Sequence, residues 1–189
     1  MPLAFSPYDP RDRSLRDLGK CSLSDGEAYS MANLDGKLYI CSYPAARLSV
    51  YDPNLPYHFD PAEHDNPRDV GRMDEISYRP RSMLTGPLGR AWIASVPDYG
   101  MWGGPLSWYD PSTGRRGSYH RTWGDGSCHT LAHLERQRLI ATGTSVHGGS
   151  GTQPRVEQAA LRSREKPRNG DISTSCADLR DRSTRTRME

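Results

Sequence analysis

Short apolar runs recur along this chain, each bounded by Gly, Asp or Pro and enriched in Tyr, Trp, Ile and Val. That length and composition predict strands. One run, Asp35-Gly36-Lys37-Leu38-Tyr39-Ile40-Cys41-Ser42, is matched by Leu88-Gly89-Arg90-Ala91-Trp92-Ile93-Ala94-Ser95. A weaker third copy is Glu135-Arg136-Gln137-Arg138-Leu139-Ile140-Ala141-Thr142. The isoleucines lie 53 and then 47 residues apart. Nine or ten residues upstream of each copy stands a second phrase: Tyr29-Ser30-Met31-Ala32, Ser82-Met83-Leu84-Thr85 and Cys128-His129-Thr130-Leu131. A third phrase closes on Tyr-Asp-Pro, as Ser6-Pro7-Tyr8-Asp9-Pro10, Ser49-Val50-Tyr51-Asp52-Pro53 and Ser107-Trp108-Tyr109-Asp110-Pro111.

The phrases assemble into one unit. Asp35-Gly36 is a tight-turn signal between two strands. The proline after each Tyr-Asp ends a strand, because it cannot donate to a ladder. The unit then reads strand A, turn, strand B, loop, strand C ending in Tyr-Asp-Pro, and a polar strand D. Tyr119-His120-Arg121-Thr122-Trp123 is the predicted strand D of the clearest unit, and Pro56 to Arg72 reads as a long polar loop. Four antiparallel strands repeating every 40–50 residues or so mark the blade of a β-propeller. The expected fold is all-β: a partial β-propeller of about three four-stranded antiparallel blades over residues 1–161, followed by a disordered C-terminal tail over 162–189.

The phrases resemble the repeats of kelch-, YVTN- and NHL-like propellers, in which D-G-x-L-Y-I and L-x-x-Y-D-P-x-T-G alternate. Here those are Asp35 to Ile40 and Leu106 to Gly114. The kelch double glycine has loose counterparts in Gly103-Gly104 and Gly148-Gly149, and no Trp-Asp dipeptide of the WD40 kind ends a blade. The resemblance implies an architecture and leaves the family open.

Composition sharpens the boundary. The 18 glycines and 15 prolines favour turns. Residues 162–189 hold eight Lys/Arg and five Asp/Glu with only five hydrophobic residues, so they cannot bury enough surface to order themselves. After Leu161 a strand C is expected; Arg162-Ser163-Arg164-Glu165-Lys166 follows instead. The expectation is a natural tail, or a reading frame that leaves the repeat near Leu161. The tail supplies +3 of a net charge of +2, which leaves −1 for the body. Neither part has the basic, aromatic-interleaved surface that binds nucleic acid. The four cysteines lack metal or disulfide spacing, and Cys41 reads as a small core residue. No run approaches a membrane span, no export signal opens the chain, and the default location is cytoplasmic.

Chemistry is expected where B–C and D–A loops meet at one end of the channel. Candidate ligand-binding residues are Tyr43, Asp98, Tyr99, Trp102 and His147; candidate catalytic residues are His129, His147 and Asp98. Aromatic faces beside polar groups suit a small polar ligand such as a carbohydrate, or a protein partner. Trp102 and Tyr99 packed on a neighbouring blade is the competing expectation. A histidine in the innermost strand could serve as a base. His58 and His64, with Asp60, Glu63 and Asp65, read as a solvated loop, and no metal or cofactor is expected. The sequence points to a binding or scaffold module, with a fragment of a carbohydrate-active propeller enzyme (lyase, lactonase or hydrolase) as the alternative.

Overall fold

The computed structural model describes residues 4–60, 62 and 66–153, and almost all of its regular structure is strand. The fold is a partial β-propeller. Two complete four-stranded antiparallel sheets stand between two smaller pieces. One sheet runs in chain order through β5 (Ala28–Leu34), β6 (Lys37–Ser42), β7 (Arg47–Tyr51) and β8 (Arg68–Arg72). The next runs through β9 (Ser77–Gly86), β10 (Arg90–Pro97), β11 (Leu106–Tyr109) and β12 (Arg116–Tyr119). Before them lies a hairpin in which β1 (Ala4–Phe5) pairs with β4 (Gly19–Lys20) and β2 (Tyr8–Asp9) with β3 (Ser14–Leu15). After them comes the pair β13 (Ser127–Leu134) and β14 (Leu139–Ser145). By phase the hairpin is strands C and D of a blade, and the last pair is strands A and B of another. The blades predicted from the sequence are therefore two whole and two half.

The first strands of successive units, β5, β9 and β13, neighbour one another, as innermost strands around a propeller axis do. β6 and β10 are buried on both faces, which is why their sequences are apolar without alternation. From β10, Ala91 and Ile93 enter one core with Tyr39, Cys41, Leu48 and Val50; Trp92 and Ala94 enter another with Leu106, Cys128 and Ile140. A third core joins Phe5 and Cys21 of the N-terminal hairpin to Ile40. The cores lie between blades, so burial of about 1.5–3 kcal/mol per large side chain stabilises blade against blade.

The recurring phrases have structural causes. Asp35 and Gly36 both take positive φ, 51° and 73°, as a two-residue hairpin turn requires. Each Asp of Tyr-Asp-Pro accepts the backbone N–H two residues on: Asp9 from Arg11 at 2.9 Å, Asp52 from Asn54 at 3.0 Å and Asp110 from Ser112 at 3.0 Å. Two of these acids also hold the base that opens strand B, Lys37 with Asp52 at 3.1 Å and Arg90 with Asp110 at 3.7 Å. Tyr51 packs edge-on against Phe5 at 5.0 Å and Tyr109 lies 6.1 Å from Tyr39, each touching the preceding unit.

Three details of the sequence reading are corrected. The stretch 56–72 ends in a strand D, β8, whose Arg68-Asp69-Val70-Gly71-Arg72 shows no apolar pattern because it is outermost. The second strand D is Arg116–Tyr119 rather than 119–123, since the turn at 110–115 sends the chain straight back: Asp110 N–H donates to the Arg115 carbonyl at 2.8 Å. Trp123 packs beside the second core instead. The third strand-B copy is displaced by two residues. Ile40 and Ile93 face Met31 and Met83, but Ile140 faces His133, and Thr142 stands opposite Leu131. Glu63, His64, Asp65 and the expected tail 162–189 lie outside the described residues, in which no helix is long and apolar enough to cross a membrane.

Candidate functional site

Among the described residues, each innermost strand carries an extra residue at the end that leads into the B–C loops. In β5, Ala28 faces Ser42 and Ser30 faces Cys41, which leaves Tyr29 over. In β9, Pro80 faces Ser95 and Ser82 faces Ala94, which leaves Arg81; a second irregularity leaves Tyr78. In β13, Cys128 faces Thr144 and Thr130 faces Gly143, which leaves His129. Tyr29, Arg81 and His129 thus occupy one position in three successive strands. A bulge re-aims the side chain it carries, and bulges gather beside functional sites.

The loops add to this row. Tyr43 from the first B–C loop stacks on Tyr29, with ring centres 5.6 Å apart and planes 15° apart. Tyr78 meets Tyr43 edge-on at 5.2 Å and Tyr99, from the second B–C loop, edge-on at 5.4 Å. Arg79 sits among them, its guanidinium carbon 5.2, 5.5 and 5.2 Å from the rings of Tyr43, Tyr78 and Tyr99. It donates to the Tyr99 hydroxyl at 3.1 Å. The Arg81 guanidinium lies 5.2 Å from the Tyr29 ring. Such contacts are worth about 0.5–1 kcal/mol each at exposed sites.

Hydrogen bonding from the Tyr43 hydroxyl, then from Arg79, draws the Tyr99 phenol below its ordinary value; Tyr43, as donor to Tyr99, is raised. His129 is lowered, first by burial and then by the charges of Arg81 and His147.

Of the residues expected from sequence, Tyr43 and Tyr99 stand in this cluster. His147 comes close enough to His129 to contribute to its lowering, after burial and Arg81. His147 is held through its backbone, its carbonyl accepting from Ser127 Oγ at 2.6 Å. Asp98 shapes its loop: its N–H donates to the Ile76 carbonyl at 2.9 Å, and Oδ1 accepts the Tyr99 N–H at 2.7 Å. Trp102 is half-buried against Gly148, and its carbonyl accepts from His120 Nε2 at 3.2 Å. Among the described residues no three His, Cys, Asp or Glu side chains gather as a metal site. Cys21, Cys41 and Cys128 are free and buried; burial pushes the Cys21 thiol up to about 11 and Cys128 to about 12, which removes them as nucleophiles.

The sequence reading missed Tyr29, Tyr78, Arg79 and Arg81. The available signal was Tyr78-Arg79-Pro80-Arg81, two cations inside a strand predicted to be innermost.

No protein-family model matches this sequence, and no curated protein matches it. Among solved structures, one similar chain is described as "YCF48 bound to D1 peptide". It is 15% identical, with a TM-score of 0.45. The match covers 79% of this chain and 45% of that one, so the chain spans less than half the length of that neighbour.

Proposed function

We propose that this chain is a binding module of the propeller kind and that it takes a protein segment on the tyrosine–arginine face. One observation carries this reading: two blades contribute inner strands and B–C loops to a single cluster of four tyrosines and two arginines. Tyr, Arg and Met are the residue types enriched at protein interfaces and their hot spots. Tyr99 at 55% and the neighbouring Met101 at 44% expose area that a partner would cover. Rings that brace one another bind with little loss of side-chain freedom.

The test is binding of the full chain to an array of short peptides. Tyr99→Ala is expected to weaken the strongest binders about thirtyfold, the scale of a hot-spot truncation. Tyr8→Ala, on the exposed β2, is expected to leave them unchanged. Equal effects of the two substitutions would remove the reading.

A second reading, a carbohydrate-active site, is favoured by one feature. Burial, then the charges of Arg81 and His147, lower the His129 imidazole, which favours the form that accepts a proton. Release of product from a polysaccharide panel, lost in His129→Ala with folding intact, would establish it.

A further inference from the structure

Resting on the binding reading above, we infer that the face grips a carboxylate, an Asp or Glu side chain of the partner segment, with Arg81 as the gripping residue. The charge balance of the face carries the inference. Four of its nearby acids are committed to local partners; a fifth, Glu27, whose carbonyl accepts the Tyr43 N–H, is exposed and stands on the Tyr29 side of the face. Asp74 accepts from Ile76 N–H, from Ser107 Oγ, and from both N–H and Oγ of Ser77. Asp98 accepts from Tyr99 N–H, Asp125 pairs with Arg121 at 3.6 Å, and Glu75 pairs with Arg72 at 3.5 Å. Neither Arg79 nor Arg81 joins an ion pair among the described residues.

The two guanidiniums differ in what they have left to offer. Arg79 is half-buried, is surrounded by three rings and donates to Tyr99. Arg81 is exposed, leans on Tyr29 alone and makes no hydrogen bond to a described residue. Its planar fork matches a carboxylate in two-point geometry. The bulge that leaves Arg81 unpaired with β10 re-aims it, and its guanidinium carbon lies 5.2 Å from the centre of the Tyr29 ring. His129 stands on the other flank, at the same bulge position of the next inner strand.

The experiment uses the same array with every acidic peptide synthesised beside its Glu→Gln or Asp→Asn twin, and applies the full chain at low and high salt. Acidic members are expected to bind about tenfold or more tightly than their twins, with the advantage shrinking as salt rises. In Arg81→Gln the advantage disappears; in Arg81→Lys, which keeps the charge but loses the fork, part of it remains. Circular dichroism of each variant confirms that the exposed substitution leaves the fold intact. Twins that bind equally, or an advantage that survives Arg81→Gln, overturn the carboxylate inference; loss of binding in Tyr99→Ala would then leave the binding reading standing. A folded chain that binds no peptide overturns both.

Discussion

At Gly149 a Cβ would overlap the carbonyl oxygen of Asp98, and at Gly104 it would overlap the Ser95 carbonyl and come within 2.8 Å of Ser127 Cβ. Both glycines bring loop backbones into contact: Gly149 N–H donates to the Met101 carbonyl at 2.8 Å, and the Gly104 carbonyl accepts from Cys128 N–H at 3.2 Å. The double glycines, visible in the sequence as loop residues, are required for close approach between units. Gly149→Ala is expected to cost about 1–3 kcal/mol, the usual range for overpacking, and to lower the melting temperature. A variant that melts like the parent would show that the loop gives way freely. The same scale holds the electrostatics of His129. Its value lies below the ordinary 6.5 through burial, Arg81 and His147. Arg81→Ala removes one of these causes, so the His129 pKa should rise toward 6.5 in an NMR titration. No movement would mean that Arg81 does not act on the imidazole.

At the scale of elements, the Tyr-Asp-Pro phrase is a device for ending strand C. Its tyrosine leans on the preceding unit, its aspartate closes the turn, and its proline stops the ladder. Tyr109 is buried to 1% exposure, whereas Tyr8, with no such neighbour among the described residues, is 57% exposed. The loop between β8 and β9 is stapled to β11 through Asp74. Burial raises the Asp74 carboxyl, but hydrogen bonds from Ser77, Ser107 and Ile76 outweigh it, and the net shift is downward. A carboxylate depressed in the folded state stabilises above its unfolded value, near 3.8, and that stability is lost as pH falls through the folded value. Asp74→Asn should therefore cost about 1–3 kcal/mol at neutral pH. It should also flatten the acid limb of a stability-versus-pH curve below about 3.8. An acid limb unchanged by the substitution would rule Asp74 out as its source. The displaced third strand B also belongs here. A four-residue connection between Leu134 and Leu139, in place of the two between Leu34 and Lys37, shifts Ile140 out of step with the bulge.

Across the whole molecule, stability is distributed unevenly. β6 and β10 are paired along both edges and buried on both faces. β14 is paired along one edge among the described residues, and β2 and β3 form a short ribbon. Local opening follows such differences. Amide hydrogen exchange should leave β6 and β10 protected longest, with β14 and the β2–β3 ribbon exchanging first. Uniform protection would mean that the blades open as a single cooperative unit. The order of opening bears on binding, because the face draws Tyr43 and Tyr99 from loops next to the protected strands and His129 from the less protected pair.

The sequence by itself determined strands A, B and C of the repeat and their order, because those depend on neighbours within about ten residues: Asp35-Gly36 needs no tertiary partner to form its turn, nor Asp110 to accept the N–H of Ser112. It also named Tyr43 and Tyr99, since aromatics on loops are conspicuous. Tertiary structure alone decided the rest. A polar outer strand such as β8 has no pattern to read until β7 offers it an edge. A bulge is a two-against-one pairing, so the common position of Tyr29, Arg81 and His129 exists only once strands A and B are in register. Arg79 looks like a surface charge until three tyrosines, from residues 43 to 99, close around it.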